Sequence, residues 1–229
     1  MKPVVEVSAE HRERLRLVNK RLNQVFGFPV WRNPLPAVDE LVSTFLSQNT
    51  NDLNRDKAFN AIQARYASWE EVCDADPDEF MQVIRAAGLA NQKGPNIQAA
   101  LRRIREERGT IDLEWLRELP VEQARAWLLS FKGVGRKTAA IVLLFSLGMP
   151  AFPVDTHIYR VSGRIGLRPQ SLDVDGTHHY LEAAADPAEY YALHLNLIKL
   201  GREICQARKL ACARCPLVDF CQYPDKIFE

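Results

Sequence analysis

Apolar residues recur along most of the chain at the three-and-four spacing of one helix face. Leu15, Val18, Leu22, Val25 and Phe26 form one such stripe, and Val38, Leu41, Val42, Phe45 and Leu46 form another. A stripe of this kind is stable when another element covers it, so the pattern predicts amphipathic helices packed on one another. Strand-like alternation of β-branched residues is missing, and no long repeat is visible. The predicted fold class is all-α. Punctuation agrees: Asp76-Pro77-Asp78-Glu79 and Asp186-Pro187-Ala188-Glu189 each offer a capping aspartate, proline at the first helical position and a glutamate two residues later. Gly88, Gly109 and Gly148 stand where helices would stop.

Two breaks divide the pattern. Gly27 to Pro36 (GFPVWRNPLP) carries three prolines and reads as a loop joining an N-terminal helix to a bundle; Gly148 to Pro153 (GMPAFP) ends that bundle. The longest apolar run, AAIVLLFSLGM, has 11 residues, well short of the ~18 needed for a membrane span. The opening MKPVVEVSAEHRERLR becomes charged too early for a signal-peptide core. The expectation is a soluble cytoplasmic protein, nucleoid-associated if bacterial, with no membrane partner.

Composition adds that 229 residues with 47% hydrophobic content suffice for a packed core. The net charge of +1 excludes a polybasic coat, yet it hides segregation. Residues 68–84 carry six acids and no base, whereas residues 131–168 carry six bases and one acid, and residues 199–214 carry five bases and one acid. The basic blocks should share one face, with Glu70, Glu71, Asp74, Asp76, Asp78 and Glu79 pointing away from it.

Chemistry concentrates in three places. In Leu128-Leu129-Ser130-Phe131-Lys132-Gly133-Val134-Gly135-Arg136-Lys137-Thr138, one amphipathic helix runs into G-V-G and a second follows at once. Two glycines around one apolar residue permit a tight turn and close approach of the backbone to another molecule, and the amides opening the second helix point outward as anion donors. A plain αα-corner with glycine caps explains G-x-G alone; the full pattern fits a phosphate-gripping helix-hairpin-helix over residues 128–147. Arg136 and Lys137 lie in that second helix's first turn, where the macrodipole disfavours cations, so they are candidates for phosphate contact. With Lys132 nearby and partial burial, Lys137 would also lean toward the free, nucleophilic amine. Eighteen residues on, Phe152-Pro153-Val154-Asp155-Thr156-His157 places Asp155 at a helix start, where it can be an N-cap, an acid-base or electrostatic catalyst, or both. Last, Cys205-x6-Cys212-x2-Cys215-x5-Cys221 sets four thiols within 17 residues, enough to close around a tetrahedral zinc or an iron-sulfur cluster. Cys73 lies apart, in a helical stretch, and reads as a small core residue.

FKGVGRKTA, FPVDTHIYRV and the C-x6-C-x2-C-x5-C tail, in this order and spacing, resemble the endonuclease III branch of the helix-hairpin-helix DNA glycosylases, over nearly the whole chain. The resemblance implies two helical domains flanking a DNA-binding cleft. One is a six-helix bundle over 39–149; the other is an iron-sulfur domain built from 1–38 and 150–229. It makes Lys137 the nucleophile, Asp155 the catalytic aspartate, and Cys205, Cys212, Cys215 and Cys221 the ligands of a 4Fe-4S cluster. Lys132, Gly133, Val134, Gly135 and Arg136 become DNA contacts, joined by Arg208 and Lys209 in a basic loop between the first two ligands. Gln48 or Asn49, with Leu89 from the opposite side, would fill the gap left by an extruded base; Leu89 could instead be a core contact at a helix end.

Some residues depart from the bacterial pattern of that branch. Lys132 stands where proline commonly precedes G-V-G, and Leu200 where a histidine is frequent. LSQNT, IDLEWLR, LLS before the hairpin and FPVDT are more similar to the catalytic domain of plant DEMETER-type 5-methylcytosine glycosylases. The activity so implied is a monomeric DNA glycosylase with AP lyase activity on a damaged or modified pyrimidine in double-stranded DNA. A monofunctional glycosylase in which Asp155 activates water, acting for instance on mismatched T or U, is the alternative within the class. A non-catalytic iron-sulfur protein that binds DNA structure is the alternative outside it.

Overall fold

The computed structural model describes residues 6–31 and 33–228. The opening five residues, part of the segment read for a leader, lie outside them, as does Arg32 in the proline-rich loop. Among the described residues the secondary structure is helical, with one isolated bridge between Cys205 and Leu210. No described helix is long and apolar enough to cross a membrane. The chain divides into two compact units, Pro34–Met149 and the pair of segments Met1–Asn33 with Pro150–Glu229.

The continuous unit holds α2 (Ala37–Ser47), α3 (Asp52–Arg65), α4 (Trp69–Asp74), α5 (Pro77–Val83), α6 (Ala90–Arg108), α7 (Val121–Leu129) and α8 (Arg136–Ile141). Ala75 and the capping Asp76 separate the two short helices α4 and α5. Local chemistry starts the helices. Asn51, Ser68 and Asp76 accept hydrogen bonds from amides of their own first turns, and Glu71 answers Ser68 by accepting from the Ala67 amide at 2.7 Å. Val38, Leu41, Val42, Phe45 and Leu46 are all buried, as the stripe predicts, and Phe80, Ile84, Ile97 and Leu101 are fully buried in the same unit. Each large side chain so enclosed contributes roughly 1.5–3 kcal/mol. Cys73 is fully buried among them.

Past Ile141 the AAIVLLFSLGM run widens into a π-helical turn, Val142–Ser146. Arg117 accounts for its end: the guanidinium donates to the Ser146 carbonyl at 2.7 Å and also to that of Leu147. Carbonyls caught by a side chain no longer need a helical amide.

The discontinuous unit packs α1 (Ala9–Phe26) against α10 (Val174–Ala184) and α11 (Tyr190–Glu203), and α11 against α9 (Thr156–Arg164). Leu15, Val18 and Leu22 enter its core, but Val25 is 53% exposed and leaves the predicted stripe. Val25 lies in the last turn of α1, which Gly27 ends two residues on. Asp186 caps only the short 3-10 turn Pro187–Glu189, which then leads into α11.

Candidate functional site

In the continuous unit, α7 and α8 form the hairpin. Ser130 closes α7, and Phe131 and Val134 are buried, so the turn is anchored by its apolar residues while Lys132 stays exposed. The two glycines act differently. Gly133 adopts φ +86°, and a β-carbon there would lie 2.8 Å from Asn96 Nδ2 and 3.0 Å from Phe45 Cε1. Gly135 is extended, and a β-carbon there would meet nothing within 4 Å. Its lack of a side chain leaves open space directly at the first amides of α8. Gly133→Ala should therefore lower stability by about 1–3 kcal/mol through backbone strain and overpacking, read as a shifted denaturation midpoint, whereas Gly135→Ala should leave that midpoint almost unmoved.

Lys137 is exposed, so the partial burial expected for it is not found; α8 turns Thr138, Ala139 and Ala140 inward instead. Among the described residues neither Lys132 nor Lys137 has a hydrogen bond or ion pair. The acidic run sits elsewhere in this unit. Asp74 pairs with Arg105 and Glu79 with Arg65, on α4 and α5, which pack on α3 and α6; α8 packs on α2, α7 and the π-turn.

Two loops of the same unit carry the proposed gap-filling residues. Gln48 donates from Nε2 to the Gly133 carbonyl at 2.9 Å, tying its loop to the hairpin. Asn49, next to it, is exposed and adopts φ +51°. Leu89 caps α6 with φ +50° and is 45% exposed, which removes the reading as a core contact. Left-handed backbone costs a residue with a β-carbon roughly 1–2 kcal/mol, and such strain gathers at functional loops.

Asp155 lies in the discontinuous unit. It is the N-cap of α9, its Oδ1 accepting from the Ile158 amide at 2.7 Å, and it is part-exposed. The extended lead-in is held by three side chains that the sequence pattern did not single out. Glu182 accepts from the Phe152 amide at 2.8 Å, His178 Nδ1 donates to the Phe152 carbonyl at 2.9 Å, and His194 Nδ1 donates to the Pro153 carbonyl at 3.0 Å. Histidines on the core face of α10 and α11, beside Leu181, Leu193 and Leu197, were the available signal.

The four tail cysteines line one small pocket, walled by Ile165, Leu200, Ile204 and Leu210. Arg164 donates to the Cys205 sulfur at 3.5 Å, and the Cys221 thiol donates to the Arg164 carbonyl at 3.5 Å. Burial pushes the Cys215 thiol up to about 11, with Cys205, Cys221 and Cys212 pushing the same way. Among the described residues no three His, Cys, Asp or Glu side chains close around a single metal ion. Leu200, the departure noted from sequence, supplies part of the apolar wall. Arg208 and Lys209 are exposed on the loop between the first two cysteines.

A hairpin with open amides and exposed lysines, in one unit with two strained loops, defines a helix-hairpin-helix protein. Residues 42–186 match the model of the HhH-GPD superfamily base excision DNA repair proteins, and the chain belongs to that family. It is 31% identical over 183 residues to endonuclease III of Thermotoga maritima, covering 80% of this chain and 81% of that protein. It is also 33% identical over 172 residues to the DNA glycosylase/AP lyase ROS1 of Arabidopsis thaliana, covering 68% of this chain and 12% of ROS1. A provisionally named Arabidopsis thaliana DNA glycosylase is 36% identical, and the match spans 66% of its length. Among solved structures, a non-covalent endonuclease III-DNA complex superposes with a TM-score of 0.79 at 26% identity, covering 95% of this chain and 96% of that one. The fold is thus endonuclease III-like.

Proposed function

We propose that the chain is a bifunctional DNA glycosylase and AP lyase acting on a damaged or modified pyrimidine in duplex DNA, with Lys137 and Asp155 serving one extruded nucleotide. The observation that carries this is Lys137 itself: an exposed lysine with no ion pair in the first turn of α8, where nothing in the fold uses its charge. A trapped endonuclease III-DNA covalent intermediate, whose protein is 26% identical to this chain, supports covalent chemistry on this frame.

In this reading the open amides before and within α8, with Lys132 and Arg136, hold phosphate without reading sequence. Arg208 and Lys209 add contacts from the tail. The target nucleotide leaves the stack at a cost of a few kcal/mol, least for a weakened pair. The Asp155 carboxylate takes a proton from the Lys137 ammonium and stabilises positive charge developing on the deoxyribose. Lys137 Nζ attacks C1′, the glycosidic C–N bond breaks, and the base leaves with its bonding pair and a proton. Ring opening gives a protonated Schiff base. Loss of a C2′ proton then breaks the C3′–O bond and expels the 3′ phosphate, and hydrolysis returns the lysine.

The four cysteines fit a 4Fe-4S cluster. Four thiols on one apolar pocket, with Arg164 donating to Cys205, supply the ligand set of such a cluster. When bound, the cluster would supply covalent fastening of a tail that has little secondary structure of its own. Cys205, Cys212, Cys215 and Cys221 would hold it, with Leu200 and Ile204 excluding water.

A panel of duplexes bearing oxidised pyrimidine, T or U opposite G, and 5-methylcytosine, scored separately for base release and strand cleavage, tests the assignment. One substrate class should yield both products. Asp155→Asn preserves the cap, because asparagine caps as well as aspartate, yet should slow base release by roughly 10²-fold or more through loss of the carboxylate. Base release without cleavage would select the monofunctional reading, and binding without either product would select a non-catalytic one.

A further inference from the structure

Lys93 is the buried cation that the mechanism above leaves unused. It lies in the second turn of α6, is 3% exposed, and occupies a position on the same face as Ile97, Leu101 and Ile104. Its Nζ donates to the Leu46 carbonyl and to the Ala87 carbonyl, each at 2.8 Å. Burial lowers its pKa, with no acidic side chain opposing that effect. A buried ammonium without a carboxylate is costly, and an apolar side chain of similar length would fill the same space more cheaply. The two acceptors explain what the charge does. Leu46 lies in the last turn of α2 and Ala87 ends the 3-10 turn Arg85–Ala87, so both carbonyls lack helical amides. Three residues after Leu46 comes Asn49, and two residues after Ala87 comes Leu89. Both are exposed, and both have left-handed backbone.

We propose that Lys93 is a positioning residue that joins the Asn49 loop to the Leu89 turn, so that the two side chains enter the duplex as one wedge when the nucleotide leaves. The ammonium is centred between the roots of the two loops, and Gln48 braces the first loop against the hairpin through Gly133. Lys93 therefore sets the spacing between two strained residues that, among the described residues, no hydrogen bond joins directly. Its position in the core rules it out as a second nucleophile. This inference rests on the glycosylase reading above.

The test compares an abasic site in duplex DNA with the same site in single-stranded DNA, where no stack has to be filled. Lys93→Met should lower kcat/KM on the duplex roughly ten- to a hundredfold, and by much less on the single strand. A 2-aminopurine opposite the site should lose its binding-dependent fluorescence change. In a Leu89→Ala background, adding Lys93→Met should cost little more, because both act on one wedge. Equal losses on the two substrates, or full additivity with Leu89→Ala, would overturn the proposal. Lys93→Gln, which retains a neutral donor, provides the same comparison if the methionine variant loses its helical circular dichroism. The two failures separate: wild-type protein that processes neither substrate sinks the bifunctional glycosylase-lyase reading, while active wild type with an unchanged duplex-to-single-strand ratio in Lys93→Met sinks only the wedge.

Discussion

Replacing Lys137 by glutamine will abolish the covalent adduct that borohydride traps between the native protein and abasic DNA, and will lower strand cleavage by about 10³-fold or more, as expected when a nucleophile is removed. Glutamine is polar and only one atom shorter, and it lacks the amine that forms the Schiff base. The fold should not respond, because Lys137 is exposed and makes no described contact, while the inward face of α8 is made by Thr138, Ala139 and Ala140. Lys132→Gln is the matching control. It removes a charge from the same turn and should weaken binding with a shallower salt dependence, by about one phosphate contact, yet leave the adduct trappable. An adduct that survives Lys137→Gln would move the nucleophile to another amine and break the assignment of the hairpin as the reacting element.

The helix starts and the hairpin turn were legible in the sequence, and the reason is local. Helix starts depend on residues within four positions, so Asp76 and Asp155 could be read as caps and α8 could be placed directly after Gly135. The same locality made G-V-G readable as a turn, although which glycine needs positive φ depends on Asn96 and Phe45 crowding Gly133 from other elements. Residues whose roles come from distant partners escaped. Lys93 sits at a core position of its helix, and periodicity has no way to report that two loop carbonyls wait there. His178, His194 and Glu182 hold the extended segment before Asp155 from 26 to 41 residues away in sequence. Val25 fits its helical stripe and yet lies outside the core, since Gly27 ends α1 before a partner can cover that turn. The π-turn at Val142–Ser146 likewise depends on Arg117, which belongs to the segment before α7.

Cys215→Ser will remove the broad visible absorbance of the purified protein and cost stability on the order of 5 kcal/mol, as loss of a structural metal group does. Apart from backbone carbonyls caught by Arg14, Arg21, Arg160 and Arg164, the tail after α11 has little regular structure to hold it. Its regular structure amounts to the Cys205–Leu210 bridge and the turn Cys212–Arg214, and Ile204 and Leu217 are its buried apolar anchors. Two such side chains supply a few kcal/mol, whereas ordering the backbone costs about 1–2 kcal/mol per residue. Protease should therefore cut the variant between Cys205 and Phe228 while the unit Pro34–Met149, which shares none of these residues, resists. The same outcome is expected for each of Cys205, Cys212 and Cys221, because all four face one cavity and a set of three leaves a position open. Cys73→Ala is the control that separates a ligand from a packed thiol: Cys73 is fully buried in the other unit, so its loss should cost about 1–2 kcal/mol by cavity formation and leave the absorbance intact. Stoichiometric zinc in a colourless wild-type protein would overturn the iron-sulfur assignment and leave the four-thiol fastening in place.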